Sequence, residues 1–321
     1  MYTANPFPDA STGSVLFGGI DTDKYTGNLI SVEIYPSELQ NGQSVFTSFT
    51  VAFTSLSATS DSGTDQLTPS NYAEAAILDS GTTITLLPDD VAQTVFEEFG
   101  AEVSEELGAV VVPCALANKT GSLTYEFGGT GGPKIAVDVS QLVLPLTLPN
   151  GNVPKYSNGA TACQLGIQAA GDLPVLFGDT FLRSAYVVYD LDNNRIALAQ
   201  TDFNSTGSNV VAFASGGAAI PSASSAPNEA AITQTASGNP KVGITATATG
   251  TGAQATYNPT ATGLSAASGF TGTSTSTSTS SSGSKKSGAA AGAVPFQWSF
   301  VVTGAITLLG MGLGGGLLAI L

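Results

Sequence analysis

The sequence predicts a mainly β fold with few short helices, followed by a disordered stalk, and three observations carry that reading. Short runs rich in Val, Ile, Leu and Phe recur through residues 1–214, bounded by Gly, Pro, Asn, Asp and Ser in the pattern of strands and turns. Apolar residues at helical spacing stand out in one place, around residues 89–99. Beyond residue 214 the composition shifts to Ser, Thr, Gly and Ala with hardly a charge or an aromatic ring.

Residues 1–53 read as sheet, with apolar runs at Ser14–Phe17, Leu29–Tyr35 and Ser44–Phe53 and a turn at Gly18 and Gly19. No basic segment, apolar core and cleavage site follow Met1, so a secretory signal peptide is missing and the chain reads as starting mid-protein. Ala58–Asn71 reads as a polar loop. A helix follows Pro88, with Asp89 as its expected N-cap, Val91, Val95, Phe96 and Phe99 on the core face, and Glu97 and Glu98 on the other. Glu102, Glu105 and Glu106 read as a solvated surface.

Short strands return between Val110 and Leu148, and the glycines at 128, 129, 131 and 132 read as a hairpin turn. No Lys-Ser/Thr and no helix follows them, which excludes a phosphate loop. Gln164–Gly171 reads as strand and turn. The stretch Leu173–Asp190 reads as a strand ending in glycine, one helical turn and a second strand, with a hairpin return at Arg195–Ala199. The lobe is expected to end near Phe213. Residues 215–290 lack the large apolar side chains that would offset chain entropy and read as a stalk, either O-glycosylated or a bare linker. Residues 291–321 form a hydrophobic C-terminal segment. Ser287 and Gly288 lie among small residues before it, the pattern of a lipid-anchor signal, which is favoured over a retained membrane span.

Charge narrows the function classes. Residues 1–214 hold 23 acidic and six basic side chains, a net charge of −17, which repels phosphate backbones and argues against nucleic-acid binding. Such a surface sheds self-repulsion in acid, so work at low pH fits it. The chain has no histidine, which excludes histidine-based serine or cysteine catalysis and every histidine-ligated metal site; no cofactor or metal is expected. Cys114 and Cys163 are too few for a metal cluster and enough for one disulfide, two unpaired thiols being the other reading. Asn118-Lys-Thr and Asn204-Ser-Thr are candidate glycosylation sequons.

The stretch that points to chemistry is Ala75–Pro88. Asp79 stands between two apolar runs, followed by Ser80, Gly81 and Thr82, whose hydroxyls and backbone N–H groups lie within reach of a carboxylate held at a buried turn. The same triplet recurs at Asp61-Ser62-Gly63 with polar flanks and reads there as a surface turn. From residues alone Asp79 is either a functional carboxylate or another turn.

Three stretches in one order add to this: Ser14–Gly27 with its Leu-Phe-Gly-Gly-Ile-Asp core, Ile77–Thr83, and Leu176–Arg183 followed by Tyr189–Asn194. Together they resemble the C-terminal lobe of pepsin-like aspartic proteases, and the stalk and tail resemble the lipid-anchored fungal, yapsin-like branch. The resemblance implies one lobe of the bilobal acid-protease fold over residues 1–214. It makes Asp79 a catalytic aspartate, Ser80 the hydroxyl tying the lobes together, Gly81 the loop glycine, Thr82 the hydroxyl on the carboxylate and Thr83 a contact to substrate backbone. It pairs Cys114 with Cys163.

The N-terminal lobe with its own aspartate is absent, and Asp61, in the same lobe, cannot stand at the symmetry-related position. The implied function is aspartic endopeptidase activity on peptide substrates at the extracellular face of the plasma membrane or cell wall. A non-catalytic surface glycoprotein built on the same lobe is the alternative, and a homodimer pairing two copies of Asp79 a third reading.

Overall fold

The structure is a computed structural model that describes residues 13–39, 41–232, 234–236, 244–245, 266 and 269–270. Strands dominate it. Among the described residues the α-helices are Asp89–Phe99, Val139–Leu142 and Asp179–Leu182.

The central sheet carries the site. Its strands run in the order Lys134–Asp138, Gly121–Phe127, Thr50–Ser60, Glu74–Leu78, Val175–Phe177, Thr85–Leu87, Ile167–Ala169, with Gly63–Gln66 returning along Thr50–Ser60. Val175–Phe177 is threaded between two strands that are neighbours in sequence. It runs parallel to Glu74–Leu78, pairing Leu176 with Ile77, and antiparallel to Thr85–Leu87, pairing Leu176 with Leu86. A second sheet pairs Ala185–Asp190, Arg195–Thr201, Tyr25–Glu33 and Ala223–Ser225.

The core sits between these layers. Phe53, Tyr125, Phe127, Phe177 and Phe181 are fully buried, and Phe177 meets Phe53, Phe127 and Tyr125 edge-on at centroid distances of 5.2, 5.1 and 5.4 Å. Edge-on ring pairs add about 0.5–1.5 kcal/mol each beyond burial, so the threading strand is pinned by its own aromatic side chain.

Most of the expected elements form, and the departures have physical causes. The span Ala58–Asn71 is a hairpin rather than a loop: Thr50–Ser60 turns at Asp61 and Ser62 and returns over Gly63–Gln66, with Ser60 opposite Gly63. Polar side chains suit it because this hairpin is an edge of the sheet. Asp89 is the first helical residue and not the N-cap; its carboxylate instead accepts the Gly171 N–H at 2.8 Å, tying the helix to the turn after Ile167–Ala169. Glu98, expected on the solvated face, is buried. Glu102, Glu105 and Glu106 are exposed, and residues 128–132 make the hairpin turn between Gly121–Phe127 and Lys134–Asp138. The apolar run Val15, Leu16, Phe17 is exposed, Phe17 at 89%.

Packing also continues past residue 214, where composition alone put the end of the lobe. Ala223–Ser225 adds a parallel strand to Tyr25–Glu33, and Ile220, Ala226 and Ile232 are buried. Glu229 pairs with Arg195 and accepts the Glu33 N–H at 3.0 Å. This ordering comes from backbone pairing and from apolar surface that the lobe supplies, so a tail poor in large side chains gives little sign of it. Most of the expected stalk, and the whole of 291–321, lies outside the described residues; no helix among the described residues is long and apolar enough to cross a membrane.

Cys114 and Cys163 form a disulfide, with Cα atoms 4.9 Å apart. It closes a 49-residue separation, worth about 4 kcal/mol in the chain-entropy account. Replacing both cysteines by serine is expected to lower the unfolding free energy by about 2–4 kcal/mol, read by extrapolating urea unfolding to water with each protein's own slope, which rises as the unfolded chain loses its cross-link.

One carboxylate in the frame is displaced from its ordinary range. Glu74, the first residue of the strand leading to Asp79, is pushed up to about 7 by burial, with the negative charge of Asp90 at the start of the helix adding to it. A folded-state value above the unfolded 4.5 means the folded protein binds this proton more tightly. The resulting stability is fully present below 4.5 and is lost as pH rises through about 7. The thermal midpoint is expected to fall between about pH 4.5 and 7 and to level above that, and Glu74→Gln to remove part of the fall; a slope unchanged by the substitution would contradict the assignment.

Candidate active site

The Asp79 loop is built by the threading strand beneath it. The Asp79 N–H donates to the Phe177 carbonyl at 3.0 Å, so the aromatic cluster that fixes Phe177 also fixes the base of the loop. On the far side, the Asp179 N–H donates to the Thr82 carbonyl at 2.8 Å and the Thr180 N–H to the Thr83 carbonyl at 3.1 Å. The loop is thus held at both ends by the segment Phe177–Thr180.

Gly178 makes this approach possible. A Cβ there would lie 2.3 Å from the Thr82 carbonyl oxygen and 2.6 Å from that of Ile84. Its φ of −88° is open to any residue, so space alone selects glycine. Thr180, fully buried, locks the helical turn in place by donating its hydroxyl to the Gly166 carbonyl at 2.8 Å while accepting the Thr85 N–H at 3.1 Å.

Within the loop, the Asp79 carboxylate takes two hydrogen bonds. The Gly81 N–H donates to Oδ1 at 2.9 Å and the Thr82 hydroxyl to Oδ2 at 2.6 Å. One oxygen is held by backbone and the other by side chain, which fixes the carboxylate plane. Ser80 and Thr83 are exposed beside it, and Asp79 itself is partly exposed. The arrangement presents a single oriented carboxylate at the end of the central strand Glu74–Leu78, able to accept or donate a proton. The Asp61 triplet lies at the tip of the hairpin, at the other end of Thr50–Ser60 from Thr50, which pairs with Ile77.

Sequence reasoning gave no role to Tyr189 and Asp179, which feel the charge of Asp79, or to Arg183, which neighbours Asp179. Tyr189 is pushed up to about 12 by burial, and the charge of Asp79 adds to the effect; its ring packs on Phe49 at 4.5 Å. Burial also raises Asp179, which the Arg183 charge lowers and the Asp79 charge raises. The Arg183 guanidinium donates to the Gln141 carbonyl at 2.9 Å and the Asp179 carbonyl at 3.3 Å. Asp179 and Arg183 flank a strand-end glycine and helical turn in the sequence; nothing local marks Tyr189.

The other predicted positions are dispersed. Asn118, the last residue of the short helical turn Cys114–Asn118, and Asn204, in a turn, are exposed, and Ser287 and Gly288 lie outside the described residues. No cluster of His, Cys, Asp or Glu suited to a metal ion occurs among the described residues. A cavity of about 390 Å³ between Thr54, Gln66, Tyr72, Glu126 and Asn228 shares no lining residue with the Asp79 loop.

Comparison with known proteins matches this architecture to a family. The chain is 41% identical over 220 residues to the probable aspartic-type endopeptidase opsB of Aspergillus oryzae, an alignment covering 68% of this chain and 42% of that protein. It is 36% identical over 220 residues to aspartic proteinase 3 of Saccharomyces cerevisiae, covering 68% and 35%. Against secreted aspartic protease 9 of Candida albicans it is 34% identical over 210 residues, covering 65% and 36%. The chain therefore spans less than half the length of these relatives. A model of the eukaryotic aspartyl protease family matches residues 1–201, which takes in the threaded sheet, the Asp79 loop and the disulfide, and the chain belongs to that family.

Proposed function

We propose that this chain supplies one of the two catalytic carboxylates of an aspartic endopeptidase acting on peptide bonds at the cell surface. The observation that carries the reading is the Asp79 carboxylate, oriented by the Gly81 N–H and the Thr82 hydroxyl in a loop braced from below by Phe177.

The chemistry needs a second acid. One carboxylate takes a proton from the attacking water while the other, still protonated, donates to the carbonyl oxygen of the scissile bond. A single Asp79 does one of these at a time. The partner carboxylate comes from a second lobe, and the exposed run Val15, Leu16, Phe17 supports apolar surface awaiting such a neighbour. Ser80, exposed next to Asp79, is the proposed link to that lobe, and Thr83 the proposed contact to substrate backbone. Exposed Asn118 and Asn204 are proposed glycosylation sites, and the C-terminal region a stalk ending in a lipid-anchor signal near Ser287 and Gly288.

Pairing the chain with the part of the Aspergillus oryzae relative that it does not cover tests this directly. The readout is cleavage of an unfolded protein at about pH 4. The chain alone is expected to be inactive, the folded pair active, and Asp79→Asn to cost the pair at least about a hundredfold. A folded but inactive pair, or activity indifferent to Asp79→Asn, would overturn the proposal.

A further inference from the structure

The segment expected to be disordered stalk contains a contact that composition does not foreshadow. Ala266 and Phe270 are 0% and 1% exposed, as buried as the centre of the core. The Phe270 ring stacks on Phe99 at the end of the long helix, centroids 4.8 Å apart and planes within 12°. The Ala266 N–H donates to the Asp65 carboxylate at 2.8 Å.

Two glycines, one on each side, let the surfaces meet. A Cβ at Gly121 would lie 2.5 Å from the Phe270 ring, and one at Gly269 would lie 2.2 Å from the Ser60 hydroxyl. Gly121 also holds a φ of +140°, which bulky residues do not adopt. Ring, hydrogen bond and paired glycines are three independent features of one seat.

The seat lies at a defined place on the lobe. Thr50, at one end of Thr50–Ser60, pairs with Ile77 two residues before Asp79; Ser60, at the other end, pairs with Gly121 and Gly63. An eleven-residue strand separates the two ends, which is about 30 Å at the usual rise per residue.

We propose that Ala266, Gly269 and Phe270 form an intramolecular clasp, the Phe270 ring seated on Phe99 and Gly121 and the Ala266 N–H on Asp65, that makes the chain leave the lobe from the pole opposite the Asp79 loop. The clasp does not depend on proteolysis. Its consequence rests on the proposed C-terminal attachment: the clasp makes Phe270 the point of departure and turns the Asp79 end of the sheet away from the attached surface. A linker running free from residue 214 would allow the lobe any orientation.

Hydrogen exchange on the full chain reads the clasp. The Ala266 amide is expected to be protected, and Phe270→Ala to speed its exchange by about tenfold or more while the Asp79 and Gly81 amides keep their rates. Unprotected Ala266 in the unsubstituted chain, or protection unmoved by Phe270→Ala, would overturn the proposal. Should Phe270→Ala fail to fold, spin labels on Ser62→Cys and Thr271→Cys in the otherwise unaltered chain decide: a short, narrow distance supports the clasp, and the broad distribution of a flexible chain rejects it.

Discussion

The hydrogen bond from the Asp79 N–H to the Phe177 carbonyl is the constraint on which the rest of the site depends. It works because Phe177 is a fixed point. Its ring is enclosed by Phe53, Tyr125, Phe127 and Phe181, so moving its carbonyl would disturb the densest part of the core. A polar loop at the end of a central strand thereby inherits the rigidity of an aromatic interior. The two donors on the Asp79 carboxylate then need only set its plane.

The same design explains what one lobe can and cannot do. It delivers one carboxylate in a set geometry, while the water-activating and carbonyl-protonating roles of acid hydrolysis require two. Under the proposed function, the exposed Val15–Phe17 run fits a face covered by a second lobe, and the acidic composition fits work in acid. Glu74 fits as well, since its raised value favours the folded state below neutrality.

Much of the architecture was legible because it is carried by local pattern. The two apolar flanks of Asp79, the glycine after Phe177 and the Asn194 turn, whose φ is +50°, can be read from neighbouring residues. What escaped the sequence depends on partners far along the chain. Asp89 loses its expected cap role to the Gly171 N–H, Glu98 is drawn inside, and Tyr189 reaches Asp79 only through the second sheet. The packing of Ala223–Ser225 and Phe270 is hidden for a related reason: it rests on surface supplied by Tyr25–Glu33, Phe99 and Gly121, so local composition gives no sign of it.

Replacing Gly178 by alanine tests the threading claim most directly, because the backbone angle tolerates alanine while the space does not. The measurement is residue-resolved hydrogen exchange. Forcing a methyl against the Thr82 and Ile84 carbonyls costs about 1–3 kcal/mol, and the account predicts that the loss falls first on the Asp79, Asp179 and Thr180 amides. The ladder between Thr50–Ser60 and Gly121–Phe127 is expected to keep its protection. Unchanged exchange at Asp79, or a loss spread evenly over the sheet, would contradict the claim that Phe177–Thr180 holds the Asp79 loop.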